Sequence, residues 1–110
     1  MQMKVMKSKI EKRPGCVAEA VSILGNKWTA LIVMKLAEGP TRFTALENSL
    51  QGISPRTLSQ RLCDLEAKHL ITKKHFAEMP PRVEYSLTGK GTDLLPILKS
   101  MAAWGDKYSG

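Results

Sequence analysis

The chain has 110 residues, 43% hydrophobic and 25% charged, with 17 Lys and Arg against 10 Asp and Glu for a formal net charge of +7. That length holds one domain with a core of its own, and the composition excludes a disordered chain. The basic excess favours a polyanion, nucleic acid before an acidic membrane surface, over a charge that serves only solubility, and with 5% aromatic residues the chain suits duplex DNA better than stacked single strands.

Residues 1–15 begin with Lys4, Lys7, Lys9, Lys12 and Arg13 interspersed among Met, Val and Ile, and end at Pro14-Gly15. No uninterrupted apolar run of a secretory signal is present, so this stretch reads as a basic arm. It is either a solubilising tail or an arm that touches a nucleic-acid backbone or wraps a second subunit. From Cys16 to Leu24 the apolar residues Val17, Ala20, Val21 and Leu24 recur at helical spacing, and Gly25 is placed to stop the helix. Asn26 can cap the next helix, predicted over 27–38. Trp28, Leu31, Ile32, Val33, Met34 and Leu36 make it apolar around most of its circumference, which predicts a place in the middle of the fold. Gly39-Pro40 ends it. Thr41-Arg42-Phe43 reads as a three-residue strand, and Thr44 with Glu47 as a capping box that opens a helix running to Leu50.

The stretch from Ile53 to Leu70 organises the rest. Ser54 can accept from an unpaired backbone N–H, and Pro55 at the first helical position gives up an N–H that has no partner anyway. Leu58, Leu62 and Leu65 form one apolar stripe; Arg56, Thr57 and Gln60 point roughly opposite it, with Ser59 and Arg61 on the flanks. Helix, Gly52-containing turn, helix with a polar outer face is the outline of a helix-turn-helix, with a reading helix over 54–68. The plainer alternative is a surface helix in a helical domain. Residues 71–87 then read as a wing: a strand from Ile71 to Ala77, a Pro80-Pro81 tip, and a strand in which Val83, Tyr85 and Leu87 alternate with Arg82, Glu84 and Ser86. A last helix over 89–106 carries Leu94, Ile97, Leu98, Met101 and Trp104 toward one side, Tyr108 extends that face, and Pro96 predicts a bend. It holds more apolar surface than a small core needs, so with the first helix it reads as a dimer seam, against the alternative that it closes the core of one subunit.

Several ordered motifs resemble the HxlR-type transcriptional regulators, relatives of the MarR winged-helix proteins. They are Cys16, Leu24-Gly25-Asn26-Lys27-Trp28, Arg42-Phe43, Gly52-Ile53-Ser54, Leu62 to Glu66, Pro80-Pro81, Val83-Glu84-Tyr85-Ser86-Leu87-Thr88 and Gly91. The resemblance spans Cys16 to Trp104. It implies a mainly α fold with a small β-hairpin, a winged helix-turn-helix over residues 16–110 with dimerisation helices at both ends, and a homodimer on operator DNA. It also implies that Cys16 senses oxidants or electrophiles, as in some members. The chain departs from the family where Asn26 and His69 replace glycines, two positions expected to take a left-handed backbone, and where Val17 replaces the proline after the cysteine.

The expected function is sequence-specific binding of a palindromic duplex by a homodimer in the cytoplasm, at the nucleoid. Arg56, Thr57 and Gln60 are the expected base readers, since Arg pairs with guanine and Gln with adenine in bidentate fashion. Ser54, Ser59, Arg61, Lys73, Lys74 and Arg82 are the expected backbone contacts. Cys16, near Lys12 and Arg13 and just before a helix, is the expected redox sensor, against the alternative of a small packed residue; Cys63, toward the outer side of the reading helix, reads as a passive thiol before a second reactive one. The expected seam is Leu94, Ile97, Leu98, Met101 and Trp104, and its surroundings near Trp28 read as core before small-molecule pocket. No cofactor, metal spacing, membrane span or catalytic constellation is expected, His69 and His75 having no evident partners. The alternative function is a winged-helix module for protein–protein contact without a DNA site.

Overall fold

The computed structural model describes residues 17–109; the basic arm of residues 1–15 and Cys16 lie outside them. Helix α1 (Val17–Leu24) ends where the Gly25 N–H donates to the Val21 carbonyl, and α2 (Lys27–Leu36) leaves it at 85°. Asn26 makes that corner. Its Oδ1 accepts from the N–H groups of Trp28 and Thr29 at 2.9 and 3.2 Å, a cap that stabilises a helix by about 0.5–2 kcal/mol. The backbone there is extended (φ −100°), not left-handed as expected, because a capping residue must stand outside the helix. Ile32 and Val33 are fully buried, but Leu31 and Met34 are 38% and 40% exposed, so α2 is enclosed on one side only and not around its circumference.

The predicted strand at 41–43 is shorter and the capping box is absent. Strand β1 (Thr41–Arg42) pairs antiparallel with the last strand of the wing, and that pairing holds Arg42 extended up to its end. The chain therefore turns into α3 (Phe43–Ser49) at Phe43, which packs partly buried on the core, and Thr44 falls inside the first turn. No side chain caps α3. Gly52, at φ +88°, makes the turn to α4 (Pro55–Ala67), a conformation in which a Cβ would be strained. Ser54 caps α4 and Pro55 stands in its first turn.

After α4, His69 takes φ +60°, the left-handed conformation expected where relatives have glycine. Strands β2 (Ile71–Phe76) and β3 (Arg82–Leu87) form the antiparallel hairpin, with Ile71 opposite Leu87 and Phe76 opposite Arg82, and Pro80-Pro81 in the connecting loop. The sheet order is β1-β3-β2. Because β3 is central, its alternation is muted: only Tyr85 is buried, and its other residues are half-covered on both faces.

The segment after β3 is tied to the end of α4. Thr88 Oγ1 donates to the His69 carbonyl at 2.7 Å and accepts from the Gly91 N–H, while Lys90 Nζ donates to the Lys68 carbonyl at 2.8 Å. A Cβ at Gly91 would collide with the Leu70 carbonyl oxygen, so only glycine admits this approach. The single bent helix expected over 89–106 is instead two, α5 (Gly89–Thr92) and α6 (Leu95–Tyr108). Pro96 sits in the first turn of α6, where its missing N–H costs nothing, rather than inside a continuous helix. The core gathers Ile32, Val33 and Leu36 of α2, Leu46 of α3, Leu58, Leu62 and Leu65 of α4, Ile71, Tyr85 and Leu98. Among the described residues no single helix is long and apolar enough to cross a membrane.

Candidate nucleic-acid interface

Helix α4 divides its residues by period. Leu58, Leu62 and Leu65 are buried at 0–2% exposure, and burying each stabilises the fold by roughly 1.5–3 kcal/mol. Opposite them Arg56 and Gln60, one helical turn apart, are exposed, and neither makes an ion pair or side-chain hydrogen bond among the described residues. Thr57, half-buried between them, is tied to the cap: Ser54 Oγ accepts from the Thr57 N–H at 3.1 Å and donates to Thr57 Oγ1 at 2.9 Å. The Thr57 hydroxyl proton therefore remains to be donated outward, whereas the Ser54 hydroxyl is used within the helix.

The six expected backbone contacts do not form one set. Ser59, Lys73 and Lys74 are exposed, and the two lysines make no ion pair among the described residues. Arg61 pairs with Asp64 at 2.9 Å, 22% exposed, on a small cleft shared with Asn26 and Thr29 at the α1–α2 corner. Arg82 is enclosed within the wing, paired with Glu78 and close to Glu84. Cross-strand register also separates the lysines. Lys74 lies opposite Glu84 and Lys73 opposite Tyr85, so they project from opposite faces of the hairpin. On the Lys73 face, burial pushes the Tyr85 phenol above its ordinary pKa; Lys73 opposes that shift and Glu66 and the exposed Cys63 add to it.

A family model described as HxlR-like helix-turn-helix matches residues 23–110. The chain belongs to the HxlR family. It is 44% identical over 88 residues to an uncharacterised HTH-type transcriptional regulator of Halalkalibacterium halodurans, covering 79% of this chain and 78% of that one. A MarR-family transcriptional regulator from Porphyromonas gingivalis W83 superposes with a TM-score of 0.79 at 39% identity, over 84% of this chain and 90% of that one. The reduced form of the transcriptional regulator YodB from Bacillus subtilis gives 0.76 at 36% identity, over 83% and 89%. YodB has also been solved after diamide treatment. This HxlR protein is thus a winged helix-turn-helix transcriptional regulator.

Two features of the site escape reading from the sequence. Arg42, exposed on β1, is brought beside the wing by its register opposite Glu84. It sits in the Arg42-Phe43 motif, but its neighbour lies 42 positions away in the chain. The expected seam residues also divide. Leu98 is buried and Leu94 packs on the core, whereas Ile97, Met101 and Trp104 are 46%, 49% and 68% exposed. Ile97 and Met101 of α6 border an apolar groove of about 310 Å³ with Val17, Ala20, Val21 and Leu24 of α1.

Proposed function

We propose that this HxlR protein binds duplex DNA sequence-specifically as a homodimer and controls transcription from a palindromic operator. The observation that carries the reading is the outer face of α4: Arg56 and Gln60 stand exposed one turn apart, unpaired among the described residues, with Thr57 between them, on a helix whose opposite face is anchored by three buried leucines. An Arg side chain matches guanine O6 and N7 and a Gln side chain matches adenine N6 and N7, each worth about 1–3 kcal/mol of discrimination. Lys73, Lys74 and Ser59 would supply sequence-independent backbone contacts that set the register. The two-fold symmetry that a palindrome needs would come from the exposed apolar faces of α1 and α6, meeting their copies in a second subunit.

Response to oxidants through Cys16 is the regulatory part of this reading. It is supported by the family resemblance at that position and by similarity to YodB, whose reduced and diamide-treated forms are both known. Oxidation of the thiols of two subunits to an intersubunit disulfide, with diamide taking up the two electrons and the two protons, would alter the spacing of the reading helices.

The test compares affinity for the DNA upstream of its own gene with affinity for random duplex, at two salt concentrations, with and without diamide. Tight, salt-dependent upstream binding that diamide abolishes, and that becomes diamide-resistant in Cys16→Ser, is the expected result. Binding that ignores diamide would keep the operator reading and remove the thiol from it. Absence of duplex binding at both salts would leave a protein-contact module.

A further inference from the structure

Arg82 opens β3 immediately after the Pro80-Pro81 loop, and its guanidinium is occupied from several directions. Its Cζ lies 4.0 Å from the centroid of the ring of Phe76, its cross-strand partner. Nη2 is 3.1 Å from Glu78 Oε2 in the loop, and Nε is 3.5 Å from Glu84 Oε2 further along β3. The Arg82 side chain is 24% exposed, and its Nε is buried with the Glu84 carboxylate as an ion-pair neighbour and no hydrogen-bond partner among the described residues. A guanidinium lying 4.0 Å over a ring while its nitrogens reach two carboxylates uses several donors at once, which the single ammonium of Lys does less well. To reach a phosphate this guanidinium would have to leave the ring and abandon Glu78 and Glu84, two carboxylates, beside a polyanion. Lys73 and Lys74 have no carboxylate to abandon among the described residues; Lys74 Nζ lies 5.1 Å from the Phe76 centroid and would leave only that contact.

We propose that Arg82 is a positioning residue of the wing and not one of its phosphate contacts. The contact of Arg82 with Phe76, closed by Glu78 and Glu84, ties the loop to both strands and neutralises Glu78, so that the wing meets the duplex through Lys73 and Lys74, which pair with no carboxylate among the described residues. This rests on the duplex reading for its binding consequence, and on the hairpin alone for its structural one.

Amide hydrogen exchange of the DNA-free protein tests the structural consequence. Arg82→Met keeps an unbranched apolar stem over Phe76 and removes the guanidinium. It should speed exchange across residues 72–76 and 82–86 by on the order of tenfold, with Lys73→Gln, on the other face of the hairpin, at the wild-type rate. Unchanged exchange in Arg82→Met overturns the proposal, whatever the protein binds. Salt dependence tests the binding consequence, because each phosphate that a side chain ceases to neutralise lowers the slope of log K against log salt by about 0.9. Lys74→Gln should show that decrease. Arg82→Met should bind more weakly, and the triple variant Arg82→Met with Glu78→Gln and Glu84→Gln, which removes both ion pairs without stranding a carboxylate, should return to the wild-type slope. A triple variant still short by about 0.9 would place Arg82 on a phosphate and overturn the proposal. Wild-type protein that binds no duplex would sink the duplex reading alone, and the exchange result would still decide the role of Arg82.

Discussion

Helices α4 and α6 are nearly equal in length, 13 and 14 residues, and each offers one face to the core and one to the outside. Their outer faces differ in kind. Helix α4 buries three leucines and turns Arg56, Ser59 and Gln60 outward, whereas α6 buries Leu98 and turns Ile97, Met101, Trp104 and Tyr108 outward. Water satisfies the first face at no cost, and a ligand must compete with it by charge and hydrogen-bond geometry. Water is a poor partner for the second, and any apolar surface that covers it gains roughly 25 cal/mol per Å². On the proposed function, α4 would meet nucleic acid and α6 would meet protein.

Substitutions can break or sharpen this contrast. The largest effect is expected on the buried side of α4: Leu62→Ala should cost about 2–5 kcal/mol of unfolding free energy by denaturant titration, through the forfeited transfer energy and the cavity left behind. The matching change on the outer face of α6, Met101→Ala with Trp104→Ala, should leave the subunit folded and weaken self-association at least tenfold in sedimentation, since exposed Trp residues dominate such seams. Loss of subunit stability without loss of association would place those residues in the core instead. Arg56→Ala should cost about 1–3 kcal/mol of operator binding and relax preference at one base position, read by competition with single-base operator variants. Equal weakening on all sequences would move Arg56 to the backbone class. The smallest effect is at Tyr85. Burial raises its phenol pKa above the ordinary value, so the unfolded chain ionises first. The stability it contributes is whole below about pH 10 and is lost as pH rises through the folded-state pKa; Tyr85→Phe should flatten the alkaline limb of a stability-against-pH curve.

What the sequence made legible was local, and what it hid was not. Ser54-Pro55 and the Leu58, Leu62, Leu65 stripe announce α4 within a dozen positions, because cap and period are properties of neighbouring residues. The Thr44–Glu47 pattern is equally local and fails. The start of α3 is set by the pairing of Arg42 with Glu84, a contact from the far half of the chain. Asn26 and His69 make the same point in miniature. Asn serves equally as a cap or as a left-handed residue, and a helix following at once decided for the cap, whereas the sharp exit from α4 left His69 only the left-handed turn. Arg61 and Arg82 read as free cations in a basic chain. Their carboxylates, Asp64 one turn on and Glu78 across the loop, become partners only once rotamers and hairpin register are set.

The bonds from Thr88 and Lys90 to the last carbonyls of α4 bear on more than the end of a helix. They fasten the rear of α4 to the short segment from which α6 departs, leaving its Ser54 end about 20 Å away at 1.5 Å per residue. A rod held at one end magnifies rotation at the other. A 10° tilt about the Lys68–His69 fulcrum sweeps Arg56 through roughly 3 Å, about the length of one hydrogen bond. In the proposed homodimer, angular play at the junction of two subunits would thereby be geared up, in a chain of 110 residues, to the distance that separates a guanidinium touching a base edge from one that does not.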